Sequence, residues 1–290
     1  MYFTGFADEA ASDIDGQIRA TKELGWQFIE SRSINGTNIH DLPDADFEDV
    51  VAKLADSGVK INCFGSTIAN WGKDVREAAD FEKDLEQTRR AIPRMLRLGT
   101  KLVRIMSYRI IKERPLSDQM KEERFSRLRA ITSLFLDAGI QPVHENCMNY
   151  GGQGWKYTLQ MLDAVPGLKL VFDTGNPVST ADPDNPGHHL SSWDFYEHVR
   201  DDVIYIHIKD GRRKPDGSGT DWCFCGEGEG DVRRILADLV ARGYQGGISI
   251  EPHVTAVFHD PTIQTTEEAK HASYVKYGRQ LMDILKEIQK

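Results

Sequence analysis

Four strand-like stretches in the second half of this sequence end in side chains that could hold a metal ion. Glu145 falls at the end of residues 141–146, Asp173 closes 169–173, His207 sits near the end of 203–208, and Glu251 closes 247–251. Side chains alternate between the two faces of a strand. Ile204, Ile206 and Ile208 share one face, so His207 lies on the other. In the same way Ile248 and Ile250 leave Glu251 on the opposite face, above Ser249 and Gly247. Leu170 and Phe172 do this for Asp173, and Glu145 shares a face with Val143. If the strands line one closed sheet, three carboxylates and one imidazole converge at its mouth. Carboxylates crowded into a partly desolvated cavity repel one another, and a divalent cation removes that repulsion. The donor set suits Mn²⁺, Mg²⁺, Co²⁺ or Zn²⁺ without choosing among them, and Mn²⁺ is the first expectation. A lone Asp, His or Glu at a strand end is usually a cap or an ion-pair partner. Correct parity on four successive strands marks a site.

The elements that would position these groups alternate regularly. Strand-like runs fall at 2–6, 27–31, 60–65, 101–106, 141–146, 169–173, 203–208 and 247–251. Between them lie helical patterns, including 12–24, a long one over 74–98 that Pro93 should kink, and a closing helix over 266–288. Gly25, Gly58, Gly99, Gly139 and Gly167 stand where helices give way to strands, supplying the positive φ that ends a helix. Eight such strands predict an α/β fold, a single (β/α)8 TIM barrel forming one domain over residues 1–290. An open doubly wound sheet would need a phosphate-cradling first turn, and no GxGxxG is present.

Composition narrows the function classes. The chain of 290 residues is 40% hydrophobic and 28% charged, with a formal charge of −9, which argues against nucleic-acid binding. It has no apolar run of membrane-spanning length and no secretory leader, and its four cysteines make no disulfide framework. A cytoplasmic location, a small-molecule ligand and no membrane partner are expected.

The segments His144-Glu145-Asn146, Val171-Phe172-Asp173-Thr174-Gly175-Asn176, His207-Ile208-Lys209-Asp210, Gly226-Glu227-Gly228-Glu229-Gly230-Asp231 and Ile250-Glu251-Pro252 occur in that order. Together they resemble the xylose-isomerase-like TIM-barrel superfamily, in particular its sugar (phosphate) isomerase/epimerase branch, over essentially the whole chain. In ketose 3-epimerases of that branch a Glu/Asp/His/Glu set binds one divalent metal, and the first and last Glu form the acid/base pair. The resemblance therefore assigns metal binding to Glu145, Asp173, His207 and Glu251, and proton transfer to Glu145 and Glu251. It implies a sugar substrate and a homodimer or homotetramer. Asn176 stands where the epimerases carry a histidine, and Arg213 has the spacing of their substrate-binding arginine. DNA-repair relatives of the endonuclease IV type need extra histidines, one of them at Asn176, so that reading is set aside.

Metal-assisted proton removal next to a carbonyl is coherent for such a set, because the cation stabilises the oxygen charge that develops. The same first step would serve a dehydratase or β-eliminating lyase on a keto-sugar or keto-inositol. A non-catalytic sugar-binding module is the alternative of another class. Lys209, sharing the parity of His207, Arg104 at the end of 101–106, Glu30 at the end of 27–31, and His253, two beyond Glu251, are further substrate-binding candidates. His144 faces outward and reads as structural. Trp71, Trp155 and Trp222 lie in mouth-side loops and could wall a sugar ring. Cys223 and Cys225 read as packing residues. Residues 226–230 read as a helix-entry turn, with Asp231 capping the next helix. His188 and His189 read as solvated.

Overall fold

The computed structural model describes residues 1–255 and 265–290. Eight strands form the expected barrel: β1 (Tyr2–Gly5), β2 (Phe28–Ser31), β3 (Lys60–Gly65), β4 (Leu102–Ile105), β5 (Gln141–Glu145), β6 (Lys169–Asp173), β7 (Val203–Ile208) and β8 (Gly247–Ile250). From β2 to β8 each strand pairs in parallel with the next, and β8 pairs in parallel with β1. Between β1 and β2 a single parallel bridge, Phe6 to Glu30, brings the ring together.

The helices α1 (Ile14–Glu23), α2 (Asp44–Ser57), α3 (Ala78–Leu98), α4 (Lys121–Asp137), α5 (Trp155–Ala164), α6 (Ser192–Val199), α7 (Val232–Ala241) and α8 (Glu267–Ile288) accompany the strands. Several ends follow directly from side-chain chemistry. Asp13 accepts from the Gly16 amide at 2.7 Å to start α1, and Thr266 accepts from the Ala269 amide at 3.1 Å to start α8. Gly58 and Gly99, at φ 75° and 71°, end α2 and α3 in the left-handed conformation.

Alternation sorts the strand residues into two cores. Cys63, Val143, Val171 and Tyr205 pack together inside the barrel. Leu170, Phe172, Ile206, Ile208, Ile248 and Ile250 join the larger core beneath the helices. The inward parity of Glu145, Asp173, His207 and Glu251 follows from the same division.

Two expectations are corrected. Helix α3 begins at Ala78 instead of residue 74, because the Asp74 carboxylate turns back to take the Arg76 amide at 2.9 Å and holds a turn there. Asp231 stands before α7 but does not cap it. Its backbone is left-handed (φ 51°), and its carboxylate accepts from the Trp193 amide at 3.3 Å. The sequence also gave no sign of an antiparallel hairpin that pairs Asp210–Arg213 with Thr220–Cys223 after β7. It carries Trp222 to the barrel mouth.

Candidate metal centre

Asp173 ends β6 in the run Asp173-Thr174-Gly175-Asn176. Its Oδ1 accepts from the amides of Gly175 at 2.8 Å and Asn176 at 2.6 Å, which starts the helical turn Asn176–Ser179. Asn146, one residue past β5, grips the Asp173 backbone from the other side: its Nδ2 donates to the Asp173 carbonyl at 2.9 Å and its Oδ1 accepts the Asp173 amide at 2.6 Å. These bonds leave Oδ2 turned toward the barrel axis. His207, paired in register with both Asp173 and Ser249, lies alongside. Glu145 reaches in from β5, and Glu251 follows β8, where its amide donates to the Ile208 carbonyl at 3.1 Å.

One ligand atom from each of Glu145, Asp173, His207 and Glu251 lies within 4.8 Å of the others, and all four residues are buried. His207 Nδ1 stands 3.5 Å from Glu145 Oε1 and 3.7 Å from Glu251 Oε2. His207 Nδ1, buried in this ring, has no hydrogen bond, and Asp173 Oδ2 faces the Lys209 ammonium at 3.1 Å without an aligned one. The other imidazole nitrogen, Nε2, lies 3.0 Å from Glu30 Oε2, an arrangement that keeps a proton on Nε2 and makes Nδ1 the nitrogen that would give up its proton and offer a lone pair to a cation. A buried imidazole lone pair facing carboxylates, its ring oriented by a further carboxylate, is what a divalent cation requires. The residues fit that group.

Charged groups crowd the ring beyond the four donors.

 Arg104 Nη1 pairs with Glu145 Oε2 at 2.9 Å, Lys209 Nζ reaches Asp173 Oδ2 at 3.1 Å and Glu251 Oε2 at 3.3 Å, and Arg32 Nη1 meets Glu251 Oε1 at 3.1 Å. Burial alone would raise the Glu145 carboxyl, but Arg104 and His207 outweigh it and hold it at about 2. Burial acts the same way on Glu251, and Lys209, His253 and Arg32 keep it well below the usual carboxylate range. Asp173 goes the other way: burial, helped by the charges of Glu251 and Glu145 against that of Lys209, pushes it up to about 6. Burial disfavours the His207 imidazolium, yet Glu30 and Glu145 raise its pKa to about 10. In the metal-free chain a proton on His207 thus does part of the work of a cation.

The other expected residues divide. Lys209, Arg104, Asn176 and His253 line a cavity of about 230 Å³ beside the ring, together with Trp71 and Trp222. Asn176 Nδ2 donates to Glu145 Oε1 at 3.2 Å, where a histidine would have carried a titratable group. His253 Nδ1 meets Glu9 Oε1 at 2.9 Å. Glu30 is fully buried and absent from the cavity wall; it accepts from Tyr205 at 2.9 Å and Ser249 at 2.6 Å besides facing His207, so it supports the ring from below. Arg213 projects from the hairpin, half-exposed, pairs with Glu229 at 2.8 Å, and lines a second cavity with Trp155, His188 and His189 instead of the one beside the ring. Trp155 stacks on His198 with centroids 3.9 Å apart instead of walling the cavity. His144 faces away from the ring and meets Ser107 at 2.9 Å; burial holds it at about 3, so it stays neutral. Cys223 and Cys225 are free thiols. His188 and His189 are outside the cavity.

Sequence reasoning missed Arg32, Glu9, Thr67 and Asn70. Arg32 shares the parity of Glu30, a usable signal. Glu9 lies beyond β1, and Thr67 and Asn70 lie beyond β3, where alternation no longer applies. Glu9, Glu251 and His253 also bring ligand atoms within 4.8 Å of one another, but the Arg32 guanidinium lies 3.2 Å from Glu9 and 3.1 Å from Glu251 and supplies the positive charge there.

A parallel eight-stranded barrel with acidic and imidazole donors gathered at its C-terminal mouth defines a class, the TIM-barrel proteins that carry their site at the strand ends. A family model described as a xylose isomerase-like TIM barrel matches residues 18–274, and the chain belongs to that family. No curated protein matches the sequence. Among solved structures, the chain is similar to a D-tagatose 3-epimerase-like protein (18% identity, 100% of this chain and 98% of that one, TM-score 0.74). It is also similar to the IOLI protein with a binding zinc atom (15% identity, 99% of each chain, TM-score 0.75). A third similar structure is the probable 3-DHS dehydratase AsbF from Bacillus anthracis (18% identity, 97% of this chain and 99% of that one, TM-score 0.69). Among the described residues no helix is long and apolar enough to cross a membrane.

Proposed function

We propose that this chain is a divalent-cation-dependent enzyme that moves a proton next to the carbonyl of a keto-sugar, as a sugar isomerase or epimerase. The observation that carries this reading is the buried ring of Glu145, Asp173, His207 and Glu251, in which His207 Nδ1 has no hydrogen bond. These four residues would hold the cation. When bound, it polarises the substrate carbonyl and stabilises the negative charge that builds on oxygen.

The remaining work belongs to the chain. Glu145 and Glu251 come from the first and last of the four ligand-bearing strands, so a substrate seated over the ring meets a carboxylate on either side. The cations paired with them keep both ionised, the state a base needs. One removes the proton. Return by the other to the opposite face gives an epimer, and return to the adjacent carbon gives an isomer. Asn176 and Lys209 face the cavity and would orient hydroxyls, while Trp71 and Trp222 offer apolar faces to ring C–H groups. The same cation clamp supports a second reading. Both readings share the proton removal, and a leaving group β to the carbonyl would then depart in a dehydration or elimination.

Proton NMR in D₂O, with Mn²⁺ or Mg²⁺ and a panel of ketoses, tests both readings. Deuterium at a substrate carbon with the formula otherwise unchanged is expected for epimerisation or isomerisation. Loss of water from the product selects elimination. Neither exchange nor product across the panel overturns the enzymatic reading in favour of a binding module.

A further inference from the structure

We infer that Lys209 is a built-in counter-cation of the ring: its ammonium holds the two carboxylate oxygens that a divalent ion would take from Asp173 and Glu251, and it is driven off them when the ion binds. This rests on the cation-dependent reading above and adds what holds the carboxylates together before the ion arrives.

Lys209 follows β7 with the inward parity of His207, and it is buried. Its place is fixed from the backbone outward. Its amide donates to Thr174 Oγ1 at 3.1 Å, and its carbonyl accepts the Thr174 hydroxyl at 2.6 Å. Its side-chain stem runs against Gly175. A Cβ there would stand 2.7 Å from Lys209 Cγ and 2.9 Å from Lys209 Cβ, so a glycine makes the room. The Lys209 Nζ then lies 3.1 Å from Asp173 Oδ2 and 3.3 Å from Glu251 Oε2.

The choice of oxygens sets Lys209 apart from the two arginines. Arg32 meets Glu251 through Oε1, and Arg104 meets Glu145 through Oε2. The oxygens near His207 Nδ1 are the other ones, Glu251 Oε2 and Glu145 Oε1. Asp173 Oδ1 is taken by two amides, which leaves Oδ2 for an ion. The arginines therefore hold oxygens that a ligated ion would leave to them, and Lys209 holds the ones it would need. A dication on those oxygens and an ammonium against them are like charges in one buried site, where repulsion is strong. The ammonium also leaves Asp173 Oδ2 without an aligned hydrogen bond, so it fills the ring less completely than a ligated ion would. Lys209 already lines the cavity, with Nζ 5.3 Å from the Trp222 ring centroid, and its flexible four-carbon stem gives the released ammonium a way out of the ring.

Two measurements on the full chain test this: calorimetric titration with Mn²⁺ at fixed pH, and nitrogen-15 NMR of the lysine ammonium groups with the diamagnetic Mg²⁺. Lys209→Met keeps the stem and drops the charge, and it is expected to bind Mn²⁺ about 10-fold more tightly than the wild type. A lysine that only braced the ligands would weaken binding when lost. On the wild-type chain the Lys209 ammonium signal should shift as Mg²⁺ binds. The other buried lysine among the described residues, Lys73, pairs with Asp84 and with Gln87 at 2.6 Å, and its signal should stay in place. Unchanged or weaker Mn²⁺ binding in a folded Lys209→Met variant, or Mg²⁺ binding with the Lys209 signal unmoved, overturns the proposal and leaves the cation-dependent reading standing. A wild-type chain that takes up neither ion overturns both. If Lys209→Met fails to fold, the ammonium signal on the wild-type chain decides.

Discussion

At the scale of single residues, the ring is defined by who holds each donor as much as by the donors. Glu30 never reaches the cavity, yet it faces His207 Nε2 at 3.0 Å and so leaves Nδ1 turned to the ring. Carboxylates behind a metal-bound histidine are typically worth about 10- to 100-fold in metal affinity. Glu30→Gln is accordingly expected to weaken Mn²⁺ binding by that much while the fold persists; calorimetric titration showing unaltered affinity would remove Glu30 from this role. Glu145→Gln and Glu251→Gln are expected to lower the rate of deuterium exchange by about 10²- to 10⁴-fold. Each also removes a proposed metal ligand, so metal content is measured alongside, and a variant that stays metal-loaded at full rate contradicts the acid/base assignment.

At the scale of elements, the glycine-rich loop 226–230 has a structural task. The Asp210 carboxylate accepts four backbone amides, from Gly211 and Gly230 on Oδ1 at 2.9 Å each, and from Gly226 at 2.8 Å and Gly228 at 2.9 Å on Oδ2. A Cβ at Gly228 would stand 2.3 Å from Asp210 Oδ1 and 2.5 Å from the Gly211 carbonyl, so the wrap needs glycine there. The loop thus encloses its own anion, which is why Glu227 and Glu229 can flank it without repelling a ligand. Asp210→Asn turns an acceptor into a donor facing amides, and a loss of about 2–4 kcal/mol in urea unfolding is expected. The hairpin carrying Trp222 starts at Asp210, so KM should rise as well. A change below about 1 kcal/mol would show that the loop holds itself.

At the scale of the whole molecule, the buried charges couple folding to pH and to metal. The His207 pKa is raised from 6.5 to about 10, so its proton stabilises the metal-free fold fully below pH 6.5, and that contribution is lost as pH rises through 10. Glu145, lowered from 4.5 to about 2, contributes above pH 4.5 and loses its contribution as pH falls through 2. A dication needs the deprotonated imidazole and takes over the role of its proton. The gain in Tm on adding Mn²⁺ should therefore grow between pH 6.5 and 10, with about 2.7 kcal/mol of stabilisation when the ion stands at 100 times its Kd. Scanning calorimetry with and without EDTA checks this, and a gain independent of pH across that window would show that His207 does not bind the ion.

Local rules made much of this protein readable in advance. Alternation along a strand is a property of the backbone, so the inward parity of Asp173, His207 and Glu251 could be taken from the isoleucines, leucine and phenylalanine between them. The barrel followed from the repeated spacing of strands and helix-ending glycines. What the tertiary structure decided lies where the chain leaves regular geometry or crosses the barrel. Arg213 has a suggestive spacing, but the hairpin turns it away from the cavity. Glu30 ends its strand like a cavity residue, yet it sits beneath His207, because the stagger of neighbouring strands sets the depth of each side chain. Arg32 and Thr67 became site residues only through contacts with distant segments. Their partners are chosen by the closing of the sheet on itself, and periodicity along one strand carries no information about that.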